Sequence, residues 1–187
     1  MQIRLASPLQ TDSIVDGDGL RMVVWTQGCK HACPGCHNAH TWNETGGAMY
    51  DIEDIKKQIL ENDYHDGITL SGGEPVLQVE EVTEIAKFAK EHKFNVWSYT
   101  GFTFEKLLVM SKIDKKYLEF LENVDVLIDG KFEIAKKTLD KPYRGSSNQR
   151  VIDVKKSLKA GRVCTMRKFD KSLSSEKLYT KKDYIFI

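Results

Sequence analysis

Short β-rich apolar runs alternate with helical patterns along this 187-residue chain, and that alternation restricts the fold more than any other feature. Leu20 to Thr26, the run Leu-Arg-Met-Val-Val-Trp-Thr, reads as a strand. Ile52, Ile55, Ile59 and Leu60 then fall at helical spacing within residues 51–62, and 67–70 follows as a short strand. The order repeats. Val79, Val82, Ile85, Ala86 and Ala89 mark a second amphipathic helix ahead of a strand over residues 94–99. Helical segments over 104–110 and 115–122 precede a strand candidate at 124–128, and 150–154 is a further one. Such a pattern predicts an α/β fold, a parallel sheet with helices packed outside it, either as an open sheet or as part of a barrel. With 41% hydrophobic residues and no internal repeat, the chain is most simply one domain.

In parallel α/β sheets the chemistry gathers at the C-terminal ends of the strands, so polar and glycine-rich motifs should fall there. They do. The first strand runs into Cys29-Lys-His-Ala-Cys33-Pro-Gly-Cys36 and the second into Ser71-Gly-Gly-Glu-Pro75. The third ends in Ser98-Tyr-Thr-Gly101 and the fourth in Asp129-Gly-Lys-Phe132, while Arg144-Gly-Ser-Ser-Asn-Gln-Arg150 leads into the fifth. Each motif alone is what an ordinary turn uses. Their joint placement outlines a cleft.

Three thiolates within eight residues can hold three corners of an iron-sulfur cubane and leave one iron open to another ligand. A structural zinc site closes with four protein ligands. Here no second Cys-x-x-Cys pair exists, although His31, His37 or His40 could complete a site of three cysteines and one histidine. A disulfide framework fits less well, because one cysteine of the group is left over and Cys164 lies far along the chain. Pro34 biases Cys33 toward an extended conformation, which puts the cysteines on a loop and not on one helical face. Spacing alone leaves cluster and zinc both open.

Net charge is +1, which gives no global reason to expect nucleic acid or an anionic membrane as partner. Charge is uneven, however: residues 155–187 carry ten Lys or Arg against three acids, the pattern of a solvated basic end. No apolar run is long enough to cross a bilayer, and Met-Gln-Ile-Arg-Leu at the start lacks the core of a signal peptide, so a cytoplasmic location is expected. Thiols stay reduced there, as metal-binding cysteines require.

Cys29-x-x-x-Cys33-x-x-Cys36 after one strand, with Gly72-Gly73-Glu74-Pro75 after the next, resembles the radical S-adenosylmethionine superfamily. Within it, the run from Ser13 to Cys29 and the segment Arg144 to Asp153 resemble the activating proteins of anaerobic ribonucleotide reductase. The likeness extends over residues 1–165, the expected radical S-adenosylmethionine domain, and leaves 166–187 as a basic C-terminal extension of unknown role. The resemblance implies a partial, open parallel β/α barrel. It also implies a 4Fe-4S cluster on Cys29, Cys33 and Cys36, whose remaining iron takes the amino and carboxylate groups of S-adenosylmethionine. Reductive cleavage of that cofactor would give a 5′-deoxyadenosyl radical, which takes a hydrogen atom from a glycine of the reductase's glycyl-radical subunit. An electron donor such as flavodoxin is implied as a second partner, with no role for nucleic acid or membrane.

Candidate site residues lie in these motifs and at the other strand ends. Gly72 and Gly73 would let backbone approach the methionine part of the cofactor, with carbonyl groups or Glu74 accepting from its ammonium. Gly35, Cys36 and His37 stand where the family contacts the adenosyl part. Gly35 replaces the aromatic residue of many superfamily members, in keeping with the reductase-activating branch. Ser98, Thr100, Asp129 and Lys131 could meet ribose, carboxylate or an incoming glycine loop, or serve as caps and surface ions. Asn148 and Arg150 are candidates for the cofactor carboxylate, which arginine binds in a bidentate fashion. Asp16-Gly-Asp-Gly19 lacks the closing glutamate of a calcium loop and reads as a turn at the mouth of the site. Cys164, Trp25 and Trp97 read as core. Three alternatives stand beside this reading: activation of another glycyl-radical enzyme, chemistry on a small molecule such as a deazapurine precursor, and a zinc-binding module without catalysis.

Overall fold

Every strand and helix expected above is present in the computed structural model, which describes residues 1–170. In chain order the elements are β1 (Gln2–Leu5), β2 (Gln10–Ser13), β3 (Arg21–Thr26), β4 (Ala48–Asp51), α1 (Ile52–Glu61), β5 (Gly67–Gly72), α2 (Val79–Glu91) and β6 (Asn95–Thr100). They continue with α3 (Phe104–Ser111), α4 (Lys116–Glu122), β7 (Val126–Asp129), β8 (Arg150–Asp153) and α5 (Val154–Ala160). Polar N-caps start three of the helices: Asp51 accepts from Glu53 N, Thr103 from Lys106 N and Asp153 from Lys156 N. Each such cap contributes about 1 kcal/mol. Gly161, at φ 64°, ends α5 in the left-handed conformation that suits glycine.

One eight-stranded sheet runs β4-β1-β3-β5-β6-β7-β8, with β2 beside β3 off this path. Its centre, β3-β5-β6-β7, is parallel, in register from Arg21 opposite Gly67 to Thr100 opposite Asp129. The fold is therefore mixed α/β around a mostly parallel sheet. The fully parallel reading needs correction at β8, which pairs antiparallel with β7 and sets Arg150 opposite Asp129. Antiparallel β1, β2 and β4 carry no strong apolar signal; β2 is Gln-Thr-Asp-Ser.

Alternation along the strands divides the core. Met22, Val24, Ile68, Leu70, Val96, Leu127 and Ile152 meet buried residues of α1 to α4 on one face. On the other, Trp97, Val126, Ile128 and Val151 form a smaller cluster with Phe169. Phe169 stacks edge-on against Trp97 and Tyr143 at 5.6 and 5.2 Å, so the packed unit runs past residue 165. Residues 171–187, the rest of the basic extension, lie outside the described residues. Cys164 is half-buried beside the C-terminal end of β8, the end away from the cysteine loop, and is not a fully buried core residue. Among the described residues no helix is long and apolar enough to cross a membrane.

Candidate functional site

Backbone contacts root the cysteine loop where β3 and β5 end side by side. Gly73 N donates to Thr26 O and Glu74 N to Gly28 O, both at 2.8 Å, while Gly28 N and Cys29 N donate to Thr41 O and Trp42 O. A Cβ on Gly73 would lie 2.3 Å from Gly28 O, and one on Gly72, at φ 102°, would lie 2.5 Å from Thr26 O. These two glycines therefore let the loop ends pack together, a tighter demand than approach of a ligand. Inside the loop, Cys36 N donates to Cys33 O at 3.1 Å, with Gly35 at φ 74° after Pro34. Pro then Gly at the two central positions is the signature of a type II turn, which accounts for Gly35 by local geometry.

Beside this loop lies a cavity of about 670 Å³ on the face of the sheet away from the helices. That volume suits a ligand of cofactor size, for which pockets run roughly 300–1,000 Å³. Cys29, Cys33 and Cys36 line it, as do His37, Gly72, Gly73, Thr100 and Lys131. Gly35, Glu74, Ser98, Asp129, Asn148 and Arg150 do not form its wall. Ser98 is fully buried and donates to Tyr99 O at 3.2 Å. Asp129 accepts from Phe104 N at 2.8 Å and from Arg150 Nε at 2.9 Å, while Arg150 also reaches Glu105 at 2.8 and 3.0 Å. The antiparallel pairing of β8 brings this about, since it sets Asp129 and Arg150 directly across from each other. Arg150 is thus committed to two carboxylates, and its guanidinium holds the Glu105 carboxyl below the usual carboxylate range. Asn148 donates to Lys131 O at 2.9 Å and so braces the loop after β7.

The cavity wall also contains residues with no local sequence signal. Trp25 is half-buried, with Nε1 donating to Gln10 Oε1, and faces the cavity instead of the core. Tyr99 shares the face of Trp97, and its hydroxyl, pushed up by burial, donates to Tyr143 O at 2.9 Å. Period-2 alternation along β6 is the one signal that could have found it. Ile14, Val15 and Asp16 reach the cavity from the turn before β3, as the reading of that turn expects.

Burial pushes the Cys29 and Cys33 thiols up, with the backbone N–H groups of His31 and Phe132 as partial offsets. A bound cation would deprotonate such thiols outright. Among the described residues no three His, Cys, Asp or Glu side chains are arranged to hold a single metal ion. Of the three histidines that could complete such a site, His31 pairs through Nε2 with Glu74 Oε2 at 2.7 Å, the His37 ring is tilted against Phe132 at 5.4 Å and His40 is exposed; among the described residues none of them is grouped with the cysteines around one ion. Three thiols spread around an open volume fit a multi-iron cluster better. Trp42, on the same wall, has a buried indole N–H without a partner among the described residues, a donor suited to an anionic group.

A family model described as a 4Fe-4S single cluster domain matches residues 15–152. An anaerobic ribonucleoside-triphosphate reductase-activating protein of Enterobacteria phage T4 is 38% identical over 143 residues, covering 73% of this chain and 86% of that protein. The protein of the same name from Haemophilus influenzae is 34% identical over 146 residues, with 73% and 89% covered. That of Escherichia coli strain K12 is 34% identical over 147 residues, with 73% and 90% covered.

Proposed function

Since this chain belongs to the family of anaerobic ribonucleoside-triphosphate reductase-activating proteins and carries its 4Fe-4S domain, we propose that it generates the glycyl radical of an anaerobic ribonucleotide reductase. The observation that carries the proposal is the meeting of three thiols and a glycine-built turn on one cofactor-sized cavity. When bound, a 4Fe-4S cluster and S-adenosylmethionine supply reductive carbon-sulfur cleavage and a 5′-deoxyadenosyl radical that takes hydrogen from a glycine Cα.

The chain's own residues divide the remaining work. Cys29, Cys33 and Cys36 would hold the cluster through their thiolates. Cys36, His37, Gly72, Gly73, Thr100 and Lys131 line the space for S-adenosylmethionine, and Lys131 adds a positive charge suited to its carboxylate. Gly35 shapes the turn between Cys33 and Cys36. Ser98, Asp129, Asn148 and Arg150 set the ends of β6, β7 and β8 behind that wall. Trp25 and Tyr99 floor the cavity and limit water, which protects a reactive radical from side reactions.

On this reading the sheet is the open half-barrel of the radical S-adenosylmethionine type, in a catalytic unit of residues 1–165 whose core Phe169 completes. The protein works in the cytoplasm with a flavodoxin-like electron donor. Anaerobic, iron-loaded protein with a strong reductant should convert S-adenosylmethionine to methionine and 5′-deoxyadenosine, and Cys33→Ala should abolish this. Cleavage persisting in the variant would contradict the assignment.

A further inference from the structure

We propose that Glu74 is a positioning residue of the cysteine loop, acting through His31, and not a ligand of the bound cofactor. The proposal rests on the cluster reading of the three cysteines. Glu74 is 1% exposed, and its carboxylate already accepts four hydrogen bonds. Oε1 takes Val76 N at 3.1 Å and Thr100 Oγ1 at 2.9 Å; Oε2 takes Gly101 N at 2.7 Å and His31 Nε2 at 2.7 Å. An ionised carboxylate offers about four lone-pair sites, so none is left for an ammonium. A carboxylate only accepts, which fixes a proton on His31 Nε2.

His31 stands between Cys29 and Cys33 on the cavity wall, and its ring is held from behind. It packs edge-on against Phe102 at 4.7 Å, and a Cβ on Gly101 would come within 2.3 Å of its Cδ2. One buried carboxylate thereby ties the cysteine loop to the ends of β5 and β6. Glycine at 101 leaves room for the tie. The height of two cluster ligands above the sheet is set through this contact, while an ammonium in the cavity would be left to backbone carbonyls of the Gly72-Gly73 turn.

The test uses iron-loaded, full-length protein held without oxygen, in wild-type, His31→Leu, His31→Gln, Glu74→Gln and doubly substituted His31→Leu/Glu74→Gln forms. Two quantities are read: the rate of iron loss to a chelator, and the affinity for S-adenosylmethionine from its effect on the electron resonance spectrum of the reduced cluster. Loss of a group bonded directly to a metal ligand weakens retention by roughly 10–100-fold, and a brace acting through the loop backbone falls at the low end of that range. His31→Leu and Glu74→Gln should therefore each speed iron loss about tenfold, with the double variant no worse than either, as a shared contact requires. His31→Gln, which keeps an N–H donor, should restore slow release, and cofactor affinity should stay within about threefold throughout. Glu74→Gln is isosteric and carries the test if His31→Leu fails to fold. Cofactor affinity falling tenfold in Glu74→Gln, with iron loss at the wild-type rate in both single variants, would overturn the proposal. Wild-type protein that takes up no iron would overturn the cluster reading, and this proposal with it.

Discussion

The two walls of the cavity are held by different forces. On the cysteine side, backbone hydrogen bonds and glycine contacts lock Gly28, Gly72 and Gly73 together, with a saturated buried carboxylate behind them. On the opposite side, residues 138–145 approach the cavity on a loop that contains Tyr143 at φ 61°, a conformation that costs a non-glycine residue on the order of 1 kcal/mol or more. That loop is held by aromatic packing of Tyr143 on Trp97 and Phe169, by Tyr99, and by Arg144, which pairs with Asp170 at 3.1 Å. One wall is fixed mainly by backbone contacts and the other by side-chain contacts. A site that must hold a cluster rigidly and admit part of another protein gains from having one wall of each kind.

Phe169→Ala should have the largest effect on stability, about 3–5 kcal/mol for emptying a buried aromatic site, read from a urea unfolding curve. Its iron uptake at low temperature should match the wild type, because the cysteine wall does not depend on it. Uptake lost in step with stability would show the two walls to be one unit. Gly73→Ala is the complementary change: a Cβ against Gly28 O should cost about 2 kcal/mol and should also lower iron retention. Normal retention in that variant would remove the special status of the cysteine wall. Glu105→Gln is the control, because Glu105 is not among the residues of either wall. Because Arg150 depresses its carboxyl, Glu105 adds stability that is present above the usual carboxylate range and is lost as pH falls through its folded value. Exposure keeps the contribution under about 1 kcal/mol. The variant should show a shallower loss of stability below about pH 4, with iron retention unchanged.

The cysteine wall was legible in the sequence because its determinants are local: three cysteines, a Pro-Gly turn and a Gly-Gly-Glu run, each at the end of an apolar strand. Legibility stopped at pairing. Arg150 reads as a candidate for the cofactor carboxylate, and the antiparallel placement of β8 sets it across from Asp129. Glu74 reads as a candidate acceptor for the cofactor ammonium, and the four donors around its carboxylate come from chain segments that no local pattern connects. The far wall left a trace only at Arg144 and Gly145, since Phe169, Tyr143 and Trp97 are scattered along the chain and share no spacing that periodicity could reveal. Trp25 looks like core from its strand, yet it faces the cavity, because the sheet buries one side under helices and opens the other.

The central claim is that this chain makes a glycyl radical on a reductase. The direct measurement is electron resonance of the iron-loaded, reduced protein mixed without oxygen with S-adenosylmethionine and the anaerobic ribonucleotide reductase of the same cell. A glycyl-radical doublet that requires all three components, and that disappears when the reductase glycine is replaced by alanine, is the predicted result. Cleavage of S-adenosylmethionine with no radical on the reductase would contradict it.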